Sequence, residues 1–436
     1  MSKLIRDAGL LVLAVSLFSL RARAQEDKVA VPKSEDEIKR MMRVTYNQHI
    51  LPEGANRQML ENLMDRGQVI VFYDHPPVVP WMSAAGIMIA APVETVFATL
   101  TDFEHYNQFV PMTGGAESKK VGDNLYDVTF HINVKMAFIK YTMDYGVYHY
   151  NRPPYRTDWA RSWGEFNINV GFWELIPTSD GRTMAFYSVY SQPRSKFLKI
   201  IFSRAPLVET MTNVSTAVMV TRATKFEAEK RYKAAGGKIV APKKQPPVFE
   251  LLTQDPGSMK KFLERGKLLV LEDGPTVYVT SGAIASAPRE KTWSVITDFS
   301  RYPEFMPGVK KVESLGMSPK GPKYRWEIAM DLALFDYNFK YEADYVMKKP
   351  EYLTWTMLQE GAEPAPGFWK LMESEGKTLM FNGTTADLRK MGWILGYAVK
   401  TEPTLEHALL GCQALVAINS IKKEIENPSK SAPQGK

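Results

Sequence analysis

Apolar and polar residues alternate strictly in two distant parts of the chain. Every second residue from Tyr126 to Val134 is apolar, and the residues between them are polar. The same alternation runs from Tyr324 to Leu332, with Ala329 as the exception. A period of two is typical of strands that bury one face. Further apolar runs separated by turns at about ten-residue intervals indicate an antiparallel meander in each part.

Helical spacing of apolar residues follows each run of strands. It predicts long helices from Pro206 to about Ala234 and from Pro403 to about Glu426. Near the N-terminus, the capping box that starts at Ser34 predicts a helix through about His49. A second helix is predicted from Asn56 to Arg66, where Gly67 ends it and a strand begins.

An eleven-residue motif shows that the two parts are copies of one unit. Residues 101–111 and 297–307 both read T-D-F-x-x-Y-x-x-F-x-P, at an offset of 196 residues. Gly171-Phe172-Trp173 recurs at the same offset as Gly367-Phe368-Trp369. Tyr141 matches Tyr341 and Tyr145 matches Tyr345 at an offset of 200, which predicts an extra four-residue loop in the second copy.

These patterns predict an α+β chain of two repeats. The predicted divisions are a signal peptide (1–24), N-terminal helices (25–66), a first domain (67–235), a linker (236–258), a second domain (259–426) and a disordered tail (427–436). The linker prediction depends on Gly236-Gly237 and on the prolines that follow.

The order of elements, with the T-D-F motif after the first strand, resembles the polyketide cyclase and coenzyme Q-binding branch of the START-like, or helix-grip, superfamily. The resemblance implies two helix-grip domains, each a curved antiparallel sheet wrapped around a long C-terminal helix. It also implies an apolar cavity between sheet and helix, for a lipid, quinone, sterol or polyketide-like ligand. The aromatic residues of the motif are expected to fix the short helix against the sheet, with Asp102 and Asp298 capping the turn; the alternative is that these rings line a ligand entrance.

Large aromatic side chains on the strands are the candidate ligand contacts, since such rings suit a mostly apolar pocket. A fully packed core predicts the same pattern. The candidates are Phe130, Tyr141, Tyr145, Trp159, Arg161, Trp163 and Trp173 in the first domain and Trp326, Tyr341, Tyr345, Trp355, Met357 and Trp369 in the second.

The two copies differ at one informative position. Period two places Arg161 on the same face as Trp159 and Trp163, and Met357 occupies the matching position. Since a cation in an apolar pocket is costly unless it is paired, Arg161 is a candidate contact for an anionic or carbonyl head group. The alternative is that the strand bulges or ends here and Arg161 reaches solvent.

Basic and large apolar residues mix in the segment before each long helix. Such a mixture suits an anionic bilayer surface, and the alternative is an ordinary buried connection. The candidate membrane and gate residues are Arg194, Lys196, Phe197, Lys199, Ile201 and Phe202, then Arg389, Lys390 and Trp393.

The N-terminus has the features of a secretory signal. A basic start precedes the apolar run from Ala8 to Leu20, and Ala22-Arg23-Ala24 offers a cleavage site before Gln25. An uncleaved anchor is the alternative. Cys412 is the only cysteine, so no internal disulfide forms, which favours a bacterial periplasm.

Charge and motifs exclude other classes. The net charge of +7 falls to +4 once the signal is removed, too mild for a nucleic-acid partner. The six histidines show no metal spacing, and no catalytic or cofactor motif appears. We therefore expect a monomeric carrier of a hydrophobic ligand, without metal or cofactor, that transiently contacts an anionic membrane. The alternatives are a cyclase or aromatase of the same fold, or an interaction module without ligand.

Overall fold

The computed structural model describes residues 28–73, 83–136, 139–194, 206–331, 336–358, 363–390, 393–401 and 403–429. The expected signal peptide and residues 430–436 of the expected tail lie outside these ranges.

The first helix, α1 (Glu35–Met41), begins where the capping box predicts, because Ser34 Oγ accepts a backbone N–H of the first turn. The helix does not continue to His49, so its predicted length is wrong. The chain turns after α1 and docks on the first domain, where Arg156 donates a hydrogen bond to the carbonyl oxygen of Thr45.

Ten further α-helices and sixteen strands are described. The helices are α2 (Arg57–Arg66), α3 (Val93–Leu100), α4 (Tyr106–Phe109), α5 (Pro206–Ala234), α6 (Val248–Gln254), α7 (Pro256–Arg265), α8 (Arg289–Thr297), α9 (Tyr302–Phe305), α10 (Trp393–Thr401) and α11 (Thr404–Glu426). The first eight strands are β1 (Gly67–Tyr73), β2 (Ser83–Ile89), β3 (Thr113–Gly122), β4 (Leu125–Met136), β5 (Ile139–Arg152), β6 (Arg156–Gly164), β7 (Phe166–Pro177) and β8 (Thr183–Pro193). The others are β9 (Gly266–Glu272), β10 (Tyr278–Ala285), β11 (Val309–Ser318), β12 (Gly321–Asp331), β13 (Asp336–Lys348), β14 (Tyr352–Leu358), β15 (Ala365–Ser374) and β16 (Lys377–Thr385). No helix in the described ranges is both long and apolar enough to cross a bilayer.

All sixteen strands join in one antiparallel sheet, in the order β11-β12-β13-β14-β15-β16-β10-β9-β1-β2-β8-β7-β6-β5-β4-β3. The α+β helix-grip prediction is confirmed, and the sheets of the two repeats are continuous. Strands β1 and β9 pair at the centre, from Gly67 opposite Glu272 to Tyr73 opposite Gly266. The two repeats are therefore related by an approximate twofold axis through this pair.

Helices cover both faces of the central strands. The long helices α5 and α11 contact each other and pack on one face, here called the concave face, where Ile70, Val218 and Leu269 share a core. On the opposite, outer face, α2, α6 and α7 bury Leu63, Phe262 and their neighbours. Successive side chains along β1 and β9 therefore pack alternately in one core and in the other.

The interval predicted as a linker, 236–258, contains a helix. Val248, Leu251 and Leu252 of α6 are buried in the outer-face core, and α6 contacts α2. Three apolar side chains on one turn and a half of helix bury surface that a flexible linker would leave in water.

Strand pairing relates the two meanders by a constant offset of 196 residues from β3 to β7. Phe130 faces Tyr145 in the first repeat, and Trp326 faces Tyr341 in the second. Tyr145 therefore corresponds to Tyr341 and not to Tyr345, and the predicted four-residue loop is wrong. Tyrosines recur at four-residue intervals here, and a shift by four residues preserves the buried face, so periodicity could not exclude it.

Candidate functional site

The T-D-F motif forms a tight turn that seals one end of each concave face. Its tyrosine folds back on the preceding helix: the Tyr106 hydroxyl donates to the Leu100 carbonyl oxygen, and that of Tyr302 donates to Ile296 at 2.8 Å. Phe103 and its counterpart Phe299 are buried in the aromatic layer beneath. The motif thus has the structural role that the sequence predicts.

Ion pairs fasten the motif to the long helices. Asp102 accepts a hydrogen bond from Arg231 of α5 at 2.7 Å, and in the second repeat Arg301 donates to Glu424 of α11 at 2.7 Å. Although burial raises it, the hydrogen bonds from His105 and Arg231 hold the pKa of Asp102 below its ordinary value. Asp102 is therefore a paired carboxylate that ties the turn to the helix. Asp298 accepts a hydrogen bond from the hydroxyl of Ser300 at 2.6 Å. Neither aspartate side chain accepts a capping hydrogen bond from a backbone N–H of its turn, so the prediction that they cap it is wrong.

A continuous set of rings lines the concave face of the first repeat. Phe130 stacks on Tyr145 with their centroids 5.4 Å apart, and Trp159 stacks on Tyr187 at 5.2 Å. Trp173 meets Tyr187 edge-on at 4.9 Å. The structure thus brings together four of the predicted site residues and adds Tyr187, which the sequence analysis missed.

The second repeat has an equivalent set. Trp326 stacks on Tyr341 at 6.1 Å, and Tyr345 lies 6.2 Å from Trp355. Trp369 is buried in the same core. All five were predicted to share this face, and they do.

A glycine beneath one tryptophan in each repeat lets its ring lie flat on the sheet. A Cβ on Gly171 would come 2.1 Å from Trp159, and one on Gly367 would come 2.1 Å from Trp355. Both distances are far below contact, so these positions exclude any side chain. This requirement explains why Gly-Phe-Trp occurs in both repeats.

A β-bulge separates Arg161 from Trp163. Arg161 pairs with Val147, a residue of the concave core, whereas Trp163 pairs with Gly146 and lies against it on the outer face. One extra residue in β6 reverses the side-chain alternation, so the prediction that Trp163 shares the face of Trp159 is wrong. Arg161 stays on the concave face and is partly buried, as is Met357 at the matching position.

Several tyrosines keep accessible surface inside this aromatic layer. Tyr145, Tyr187 and Tyr341 are only partly buried. Desolvation nevertheless raises the pKa of each hydroxyl, which indicates that these groups lie within the protein and away from bulk water. The side chain of Tyr141 lies outside the described residues.

Sequence reasoning also missed His149, which is 6% exposed and lies in the aromatic layer of the first repeat. Its ring centroid is 4.6 Å from that of Phe103 and 5.4 Å from that of Trp159. Desolvation lowers the pKa of His149 to about 3, so its imidazole is neutral at physiological pH. Its distance of four residues from Tyr145 places it on the same strand face, which is a signal that was available in the sequence.

The predicted gate segments are described only in part. Lys196, Phe197, Lys199, Ile201 and Phe202 lie outside the described residues, as does the side chain of Trp393. The backbone N–H of Arg194 donates to the Glu165 carbonyl oxygen at 2.7 Å. Arg389 pairs with Asp387 at 2.8 Å and donates to the Pro275 carbonyl oxygen at 2.6 Å, and Lys390 is exposed.

A pocket of about 350 Å³ with charged and apolar lining residues lies where the N-terminal segment docks on the first domain. His49 Nδ1 lies 2.6 Å from Glu174, and Arg156 forms two 2.9 Å hydrogen bonds with the buried Asp158. Asp158 and Glu174 thus hold the basic residues of the pocket, and this arrangement anchors the N-terminal segment.

Comparisons with known proteins identify the family. The family model described as polyketide cyclase / dehydrase and lipid transport matches residues 83–233, and a second model with the same description matches residues 285–403. A comparison with curated proteins gave no significant match.

Among solved structures, the di-domain ARO/CYC StfQ from the steffimycin biosynthetic pathway shares 12% identity, with a TM-score of 0.27, over 77% of this chain and 98% of its own. The di-domain ARO/CYC BexL from the BE-7585A biosynthetic pathway shares 11%, with a TM-score of 0.29, over 81% and 99%. A STAR-related lipid transfer protein from Xanthomonas axonopodis shares 12%, with a TM-score of 0.24, over 35% and 94%. The two family matches cover more than half of the chain, which therefore belongs to the polyketide cyclase / dehydrase and lipid transport family as a tandem two-domain member.

Proposed function

We propose that each repeat binds a hydrophobic ligand between its concave face and its long helix, and that the protein carries this ligand to or from a membrane. The observation that carries the proposal is the layer of interior tyrosines that keep accessible surface, Tyr145 and Tyr187 in the first repeat and Tyr341 in the second. Large amphipathic rings around a partly open interior suit an apolar ligand with few polar groups.

The β-bulge supplies a matched pair of variants to test binding. Trp159→Leu removes a ring from the concave face, and Trp163→Leu removes one from the outer face four residues away. We expect the first variant to weaken binding of the neutral dye Nile red about tenfold or more and the second to leave it within twofold. Equal effects of the two substitutions would contradict a pocket on the concave face.

Native mass spectrometry of protein purified from its own host, followed by lipid extraction, identifies the ligand class and its stoichiometry. A copurified lipid supports carriage, and conversion of an added ligand to a new product would instead favour a cyclase. Repeated absence of any ligand would favour an interaction module.

Arg161 is proposed to contact a carbonyl or anionic head group in the first repeat. It lies on the concave face, and the second repeat has Met357 at that position. Arg161→Met therefore makes the first pocket resemble the second. We expect weaker binding of ligands with such a head group and unchanged binding of apolar ones; unchanged affinity and selectivity for both would end this assignment.

Membrane contact is proposed for the two basic apolar segments ahead of the long helices. Their composition supports it, with Arg194, Lys196 and Lys199 beside Phe197, Ile201 and Phe202 in the first. Flotation with vesicles that contain an anionic phospholipid tests it. If the protein does not bind these vesicles, or if Phe197→Asp does not affect the binding, the proposed membrane contact is wrong.

Export to a periplasm is proposed from the N-terminal sequence. Cleavage after Ala24 would leave a mature chain that begins at Gln25. Cell fractionation with N-terminal sequencing tests this, and a chain that retains Met1 in the membrane fraction would indicate the anchor instead.

A further inference from the structure

The proposed function leaves open what distinguishes the two pockets. Their aromatic layers share Trp159 and Trp355 over a glycine, but they differ beside these rings. His149 pairs with Trp159, whereas Tyr345 pairs with Trp355. Two residues before Trp159 in β6, Thr157 pairs with Trp173. Leu353 occupies the position of Thr157 in the second repeat. The first repeat thus has a histidine and threonine where the second has a tyrosine and leucine.

The surroundings of His149 are almost entirely aromatic. The rings of Phe103, Phe130 and Trp159 lie at centroid distances of 4.6, 6.4 and 5.4 Å. Within the described residues, the hydrogen bond of this imidazole is a 3.3 Å contact between Nδ1 and the hydroxyl of Thr157. Nε2 has no hydrogen-bond partner there. Nε2 is not one of the fully buried atoms that lack a partner, so it keeps accessible surface within the aromatic layer and offers an open position to a partner supplied from outside the chain.

Side-chain size differs in the same direction. Phe130 and His149 in the first repeat stand where Trp326 and Tyr345 stand in the second. The two smaller rings occupy less of the interior at this level. This difference favours room for a ligand atom next to His149 in the first repeat.

The chemistry of the histidine restricts the ligand. Burial among rings disfavours the imidazolium, so the side chain offers one neutral donor and one neutral acceptor. When the Thr157 hydroxyl donates to Nδ1, Nε2–H is a donor for an oxygen of the ligand. A carbonyl, quinone or hydroxyl oxygen matches it, whereas a carboxylate or phosphate bonded to Nε2 would lie among uncharged rings, because Arg161, the cation of this face, is two residues farther along β6 than Trp159.

We infer that His149 and Thr157 form a recognition site for an uncharged ligand oxygen, so that the first repeat binds an oxygen-bearing ligand such as a quinone or polyketide-like ring. The inference rests on the proposed function, because it assigns a polar contact within the same concave pocket.

A ring-matched pair of probes tests it on the full chain. The probes are 2,3-dimethyl-1,4-naphthoquinone, which carries two carbonyl oxygens, and 2,3-dimethylnaphthalene, which carries none. Equilibrium dialysis measures both. We expect His149→Phe to weaken quinone binding about tenfold and to leave naphthalene binding within twofold. Thr157→Val is expected to weaken quinone binding less.

Two controls separate recognition from structure. His131 is only partly buried and lies on the outer face beside Asp144, so His131→Phe should change neither affinity. In protein with ¹⁵N-labelled histidine, the Nε2 resonance of His149 should shift with the quinone and stay unchanged with the naphthalene. A histidine with only a packing role would not discriminate between the probes.

The outcomes distinguish this inference from the proposed function. Naphthalene binding together with quinone binding that His149→Phe does not weaken overturns the histidine site and leaves the pocket standing. If the wild-type chain binds the naphthalene and not the quinone, the histidine site is likewise overturned and the pocket stands. Binding of neither probe overturns both.

Discussion

A buried histidine makes the stability of the first repeat depend on pH. The pKa of His149 is lowered from 6.5 to about 3 in the folded protein by desolvation. The unfolded chain therefore binds more protons between these values, and stability falls as pH falls from about 6.5 toward 3. Above pH 6.5 the contribution is fully present.

We expect the wild-type chain to lose about 2 kcal/mol more unfolding free energy than His149→Phe between pH 7 and pH 5, at about 1.4 kcal/mol per pKa unit. Urea unfolding at the two pH values measures it. The difference between the two proteins cancels the other titrating groups. Parallel losses in both would mean that the imidazole is charged or solvated in the fold.

The glycines beneath the tryptophans are the least replaceable residues of the site. A Cβ at Gly171 would meet Trp159 at 2.1 Å and the Ser188 carbonyl oxygen at 2.3 Å, so ring and strand must both shift. We expect Gly171→Ala to cost about 1–3 kcal/mol, typical of overpacking, and to weaken dye binding. Gly115→Ala is the control, since its Cβ lies 3.7 Å from His131. Thermal unfolding measures both, and equal effects would contradict the packing account.

Near the approximate twofold axis, the helices α2 and α7 contact each other through the residues that cap their N-termini. Asn56 accepts a hydrogen bond from Met59 N–H at the start of α2, and Asp255 accepts one from Ser258 N–H at the start of α7. The two cap side chains also bond each other, from Asn56 Nδ2 to Asp255 at 3.1 Å. One pair of residues therefore starts two helices and joins them.

We expect Asn56→Ala and Asp255→Ala each to cost about 0.5–2 kcal/mol, the range for loss of a cap. The double variant should cost less than the sum, because both single variants remove the same hydrogen bond between the caps. A denaturant-based double-mutant cycle measures the coupling. Strict additivity would show that the contact between the caps contributes nothing.

At the level of helices and strands, periodicity along the sequence predicted the buried faces well, with specific exceptions. The alternation around Phe130 and Trp326 correctly identified their buried faces, because the parity of a strand is a local property. A bulge here was only the alternative in the sequence analysis, and periodicity could not establish the reversal at Trp163, since a bulge depends on which residues the neighbouring strand presents. The turn that follows α1 likewise packs against a residue distant in sequence, since the carbonyl oxygen of Thr45 accepts a hydrogen bond from Arg156.

Pairing of β1 with β9 makes one folding unit of the two repeats. Seven residue pairs join these strands, and α5 and α11 pack together above them. Ile70, Leu269 and Leu271 belong to the same core. An interface built like a domain interior is not expected to open independently of the domains it joins.

We expect one cooperative calorimetric transition whose van't Hoff and calorimetric enthalpies agree. Trp369→Ala in the second repeat should move the whole transition to lower temperature, since loss of a buried tryptophan costs about 3–5 kcal/mol. Two transitions, of which only one moves, would show that the repeats unfold separately.

The repeat, the family and most helix and strand positions followed from local patterns, because caps, parity and helical spacing depend on neighbours along the chain. The interior aromatic layer was predicted for the same reason, apart from His149 and Tyr187. Tertiary structure decided the register of the meanders, the face of Trp163 and the union of the two sheets. Each of these depends on hydrogen bonds between strands distant in sequence, and an even-numbered shift in register leaves the apolar pattern unchanged.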